Sequence, residues 1–176
     1  MTSIRLPRVW YDRNFDLGFS PDRFPEILER VRGTPARLEE RVHELPGTIL
    51  RARPDDRWSI QENVGHLMDL EPLWAGRLDD LLAGGIALRP ADLENRRTHE
   101  SEHNRASMDA LLARFRKDRM ETVARLDRIT ESDLASTAQH PRLKMPMTVV
   151  DLFFFVAEHD DHHLARITEI AAPLQG

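Results

Sequence analysis

The chain has 176 residues, enough for one domain with a single substantial core. Hydrophobic residues make up 40% and charged residues 31%, which excludes a disordered chain and fits solvated helix faces around an apolar interior. A formal net charge of −5, with arginines scattered among acids, speaks against nucleic acid as a partner. The absence of cysteine removes disulfides, thiolate metal sites and a cysteine nucleophile, leaving imidazole and carboxylate as metal ligands. Met1 to Gly18 carries charges throughout and lacks the apolar stretch of a signal peptide. The longest apolar run, Leu152 to Ala157, is far too short to span a bilayer, so a cytoplasmic protein without membrane contact is the expectation.

No segment has the alternating pattern of a strand series, and no repeat is visible. A first helix is predicted from about Phe24 to Leu45, where Leu45-Pro46-Gly47 ends it. Gly33-Thr34-Pro35 inside it predicts a kink or a fresh start. The second helix opens on Ser59-Ile60-Gln61-Glu62, a capping box in which hydroxyl and carboxylate satisfy orphan amides reciprocally. Its seam of Ile60, Val64, Leu67, Trp74, Leu78 and Leu81 is interrupted by Glu71, and Gly84-Gly85 stops it. A loop rich in proline and charge follows, from Arg89 to roughly Glu102. The third helix is predicted from about Arg105 to Ile129, with Met108, Leu111, Phe115, Thr122, Leu126 and Ile129 as its stripe. The connection from Thr130 to Met147 is long for a bundle and must cover something or be mobile. Thr148-Val149-Val150-Asp151 repeats the cap logic and opens a fourth helix that continues to about Ala172, where Pro173 closes it. Together these predict an all-α, antiparallel four-helix bundle. It would be a single domain over residues 1–176, with an arm over 1–19 and the bundle over about 20–173.

Of eight histidines, His43, His99 and His103 sit in polar surroundings and read as surface residues, and His140 reads as filling the long loop. The fourth helix differs. Its inward line is Phe153, Val156, His159 or Asp160, His163, Ile167 and Ile170. His159 and His163, four residues apart, stack on that face, and a pair of imidazoles at this spacing can grip one metal ion. His66, beside the apolar seam of the second helix, adds a third neutral nitrogen, leaving coordination positions open to water or substrate as in catalytic sites. His162 is turned about 60° from His159 and about 100° from His163, so it reads as a flanking residue. Glu62, Asp69 and Asp160 are within reach of the ligand rings in principle, but each reads first as a surface or ion-pair acid.

Trp58-Ser59-Ile60-Gln61-Glu62-Asn63-Val64-Gly65-His66-Leu67 resembles the W-S-x-x-E-x-x-x-H-L opening of helix two in the DinB-like (damage-inducible) superfamily. His159-Asp160-Asp161-His162-His163-Leu164-Ala165-Arg166-Ile167 resembles that superfamily's closing H-x-x-H-H-x-x-x-I, and Leu88-Arg89-Pro90-Ala91-Asp92 resembles a loop of its metal-binding members. The likeness spans about residues 24 to 172; the arm from Arg5 to Phe19, with Trp10 and Phe15, lies outside it. The resemblance implies His66, His159 and His163 as metal ligands, zinc or nickel as the ion, and a homodimer. Relatives transfer thiols such as bacillithiol or isomerise maleylpyruvate with mycothiol, so fold alone does not choose an activity.

Three readings follow. A metal-dependent S-transferase would take a low-molecular-weight thiol of the bacillithiol, mycothiol or glutathione type into the open position, where the cation lowers its pKa. A metal-dependent hydrolase would want a nearby carboxylate as base; Glu71 is the candidate, although an interhelical ion pair with an arginine is the plainer reading of it. A non-catalytic protein would use the metal or a small ligand to stabilise the bundle. The enzyme readings lead, with the transferase ahead on resemblance alone.

Overall fold

The computed structural model describes residues 9–172, so the expected start of the arm at Arg5 and the expected stop at Pro173 lie outside the described residues. Four long helices form the bundle: α1 (Phe24–Val42), α3 (Ile60–Leu82), α5 (Met108–Leu126) and α7 (Val149–Ala171). Short helices α2 (Gly47–Leu50), α4 (Arg96–Glu100) and α6 (Glu131–Leu134) lie in the three connections. Both expected capping boxes are made. Glu62 N donates to Ser59 Oγ while Ser59 N donates to Glu62, and Thr148 and Asp151 repeat the exchange at α7. Asp151 also accepts from the amides of Gly18 and Phe19, at 2.7 and 3.0 Å, which ties the N-terminal arm to the start of α7. Gly18 has φ +97°, a conformation that a side chain would strain, and so can turn its amide onto that carboxylate.

α1 runs unbroken through Gly33-Thr34-Pro35, where a kink or restart was expected. Proline cannot donate to the carbonyl four residues earlier, which leaves Val31 O without its helical partner. Arg119 Nη1 supplies one from α5, 3.2 Å away. The vacated carbonyl thus becomes an interhelical contact. A second departure lies in the last connection, where β1 (Thr137–Gln139) and β2 (Pro146–Thr148) pair antiparallel, with Thr137 opposite Thr148. Ala138 and Met147 point into the core, and Gln139 also bridges to Ala87 of the preceding loop. Three-residue strands flanking a proline-bearing turn leave too short an alternation to be legible as strands.

α1 packs mainly on α5 and α7, and α3 on the same two, so the order around the bundle is α1–α5–α3–α7. The core falls into two clusters that reveal the directions. One joins the first half of α1 (Ile27, Val31), the second half of α3 (Trp74, Leu78), the second half of α5 (Val123, Leu126) and the first half of α7 (Phe153, Val156). The other joins the opposite ends, through Leu38, Val64, Phe115 and Ile167. The helices therefore run up, down, down, up. α3 and α5 are parallel because residues 83–107 carry the chain back along the bundle, about 35 Å for a 23-residue helix.

Between the two clusters lies a charged layer. Arg119 of α5 is bonded to Glu71 of α3 (2.7 Å) and Asp160 of α7 (2.5 Å), and Asp160 also accepts from Thr34 of α1 (2.7 Å). All four side chains are essentially inaccessible to solvent. Burial works against the guanidinium charge, but Asp160 and Glu71 more than offset it and raise the Arg119 pKa above its ordinary value. Breaking such a layer strands a buried charge. Arg119→Met should therefore cost about 3–5 kcal/mol in urea denaturation, and adding Glu71→Gln and Asp160→Asn should recover part of it. A loss under about 1 kcal/mol would mean that the layer contributes only as much as a surface pair.

Candidate metal centre

α3 brings His66, and α7 brings His159 and His163, to one point on the side of the bundle. One ring nitrogen from each lies within 4.8 Å of the other two. The ring centroids are 4.6 Å (His159–His163), 4.8 Å (His66–His163) and 5.3 Å (His66–His159) apart. All three residues are buried. Burial holds the imidazoles neutral: it pushes His66 down to about 4 despite the attraction of Asp69, and His159 and His163 well below the ordinary histidine value. The three residues named from sequence are thus the three that the fold gathers.

Two of the rings are oriented by their far nitrogen. Asn63 Nδ2 donates to the carbonyl of Ser59 (2.8 Å), so its Oδ1 faces His163 Nδ1 at 2.8 Å and accepts the proton there. Thr98 Oγ1 donates to Asp69 Oδ2 (3.1 Å) and accepts from His66 Nδ1 (3.0 Å). In both rings Nε2 is then the nitrogen with a free lone pair, as a metal ligand requires. His159 Nδ1 is buried with no hydrogen-bond partner among the described residues. Three neutral nitrogen donors, two of them fixed in tautomer, could hold a divalent transition metal.

Thr98 and Asn63 were not anticipated. Asn63 had a signal, since it precedes His66 by three residues at the start of the same helix. Thr98 sits in α4 on the crossover and had none. Nor was His103 the surface residue expected: it is buried, and its Nε2 lies 2.7 Å from Asp69. Asp69 is likewise no surface acid. It accepts from Thr98 and His103 and pairs with Arg97 (3.2 Å). Burial alone would raise its pKa, but the His103 and Thr98 hydrogen bonds and nearby Arg97 hold it below the usual carboxylate range. Glu62 is engaged by Arg53 and by its cap. Glu71 is the ion-pair partner of Arg119, buried in the charged layer, which removes it as a general base. His43 and His99 are exposed as expected, and His162 stands outside the trio, edge-on to His163 at 5.3 Å.

A cavity of about 1210 Å³ opens beside the three rings. Its walls are mainly apolar and aromatic, with Trp10, Trp58 and Trp74 against the histidines and Phe155 against Trp10 and Trp74. Trp10 comes from the arm and meets His159 edge-on, centroids 4.9 Å apart, so the segment outside the sequence motif closes one side of the site. His99 and His140 also reach this wall. Next to His66 on α3, Gly65 leaves room for the His103 ring; a Cβ there would run into it. Gly65→Ala should destabilise by about 1–3 kcal/mol, and His103→Ala in the same chain should relieve the clash. Urea denaturation of the four-member cycle reads the coupling, and additive effects would rule out the contact.

Comparison with known proteins bears on the fold and the family. No curated protein matches the sequence. A solved structure, YfiT from Bacillus subtilis, superposes with a TM-score of 0.81 over 93% of this chain and 94% of that one, at 22% identity. It is described as a probable metal-dependent hydrolase with an unusual four-helix bundle topology, and at this identity the likeness is one of fold. The sequence model of the DinB superfamily matches residues 30–167, a stretch that includes α3 and α5 whole, most of α1 and α7, and the three clustered histidines. The chain belongs to the DinB superfamily.

Proposed function

We propose that His66, His159 and His163 hold one divalent transition metal, with zinc or nickel expected, and that the chain is a metal-dependent enzyme acting on a small molecule in the adjoining cavity. The observation that carries this reading is the trio of buried, neutral imidazoles, two of them turned by Asn63 and Thr98 so that Nε2 is free. When bound, such a cation supplies Lewis acidity, polarising a substrate and lowering the pKa of a thiol or water that reaches it. The chain's own residues do the rest. Asn63 and the Thr98–Asp69 pair hold the rings, and the tryptophans keep water from the reacting groups. The apolar walls strengthen every charge interaction inside. Residues 20–173 then act as one domain, with the arm through Trp10 completing the site.

Thiol S-transfer, with a bacillithiol-, mycothiol- or glutathione-type thiol, is the preferred chemistry. Glu62, Asp69 and Glu71, the acids in α3 near His66, are fully engaged, and an ionised thiol needs no general base. A protein without cysteine would take its thiol from solution. Hydrolysis is the second reading, favoured by the fold shared with YfiT. The homodimer expected from the resemblance belongs to the same proposal and is read by light scattering.

Elemental analysis of untagged protein should find about one metal per chain, lost in His159→Ala and His163→Ala. A wild type that neither holds nor takes up zinc or nickel overturns the reading. Thr98→Val and Asn63→Leu should each weaken metal affinity about 10- to 100-fold, measured by chelator competition. Cobalt-loaded protein should develop a thiolate-to-metal absorption band with a small thiol. If no thiol produces one, hydrolysis replaces transfer as the chemistry.

A further inference from the structure

The cavity has a second polar feature, on the wall beyond Trp74 from the histidines. Arg77 of α3 is buried (1% exposed) and has no carboxylate partner among the described residues. Its Nε donates to the carbonyl of Arg89, and its guanidinium lies 5.5 Å from the Trp74 ring. Arg142, from the turn between β1 and β2, is also without a carboxylate among the described residues. Its Nη2 is buried with no hydrogen-bond partner. Both are walls of the same cavity, together with His140. In a chain whose other buried arginine is neutralised twice over, two arginines with no carboxylate paired to them among the described residues are an anomaly that a ligand would resolve.

His140 sharpens the point. Its Nδ1 accepts from the amides of Arg142 (3.2 Å) and Leu143 (3.1 Å), so the proton of the neutral ring sits on Nε2. Nε2 lies 3.1 Å from Arg77 Nη1, which is also a donor. Two donors therefore face each other with no acceptor between them. Burial, reinforced by Arg77 and Arg142, pushes His140 down to about 4, in keeping with a neutral ring. The Trp74 indole N–H is a further buried donor without a partner. All four buried side-chain nitrogens that lack a hydrogen-bond partner among the described residues belong to walls of this one cavity.

We propose that Arg77, Arg142 and the Nε2–H of His140 form the receptor for a substrate carboxylate, so that the cavity takes a small organic acid with its apolar body against Trp74 and Phe155. A carboxylate accepts from a guanidinium through two oxygens and from the imidazole N–H besides, which converts the donor conflict into three charge-assisted bonds. One indole ring separates this wall from His159, whose centroid is 5.7 Å from that of Trp74. The acid would thus anchor one end of a molecule whose other end reaches the histidines. Its use as substrate recognition rests on the metal-enzyme reading; the binding itself does not need the metal.

The test uses 4-fluorobenzoate and its neutral counterpart 4-fluorobenzamide, followed by fluorine NMR on metal-loaded and chelator-treated protein. Wild type should bind the benzoate at least about tenfold more tightly than the benzamide, a preference that survives chelation. Arg142→Gln, a half-buried turn residue, should erase the preference with metal content unchanged. Arg77→Gln should do the same where its melting curve shows it folded. Equal binding of the two probes, a preference kept by Arg142→Gln, or one lost on chelation would each overturn the receptor. Protein that takes up no metal yet prefers the benzoate would refute the metal reading and leave the receptor standing.

Discussion

The structure depends on one buried cation. Arg119 lies at mid-height in the bundle and draws a carboxylate from each histidine-bearing helix, Glu71 from α3 and Asp160 from α7. Each of those carboxylates is near a histidine of the trio in sequence, Asp160 next to His159 and Glu71 five residues beyond His66. Successive residues on a helix point about 100° apart. Holding Asp160 inward therefore turns His159 and His163 towards the cavity. An apolar core alone would tolerate sliding or rotation of α7 by a fraction of a turn. A two-carboxylate arginine does not, because its bonds are directional and an unpaired charge in that layer is costly.

α1 is drawn into the same layer by two means. Thr34 donates to Asp160, and the carbonyl that Pro35 vacates at Val31 accepts from Arg119. A proline in mid-helix normally weakens it. Here the missing backbone bond is replaced by one to the central cation, so the local defect and the buried charge support each other. The apolar clusters on either side then pack around a fixed reference plane rather than setting the register themselves.

The up, down, down, up path has a functional consequence. Because α3 and α5 are parallel, the chain between them must travel the length of the bundle, and it does so across the histidine side of α3. That crossover delivers Thr98 to His66, and His103 and Thr98 to Asp69, while Gly65 makes the space for the His103 ring. Its first residues bridge to β1, which brings the His140–Arg142 turn against Arg77. Segments that would be variable punctuation in a simple up-and-down bundle thus complete both polar walls of the cavity.

What was legible in the sequence was whatever repeats with a helix's own period or caps its ends. The Ser59–Glu62 and Thr148–Asp151 boxes, the apolar stripes of α3, α5 and α7 and the pairing of His159 with His163 are relations between residues a few positions apart, and local geometry enforces them. Glu71 as an arginine's partner could likewise be anticipated from a charge standing in an apolar seam, though not which arginine. The roles of Thr98, His103, Trp10 and Arg142, the β1–β2 pairing and the continuity of α1 past Pro35 were decided by tertiary structure. Each depends on contacts that only the fold brings together, most of them in loops that carry no periodic signal. A polar residue in such a loop reads as solvent-facing until the fold supplies the buried group that it meets.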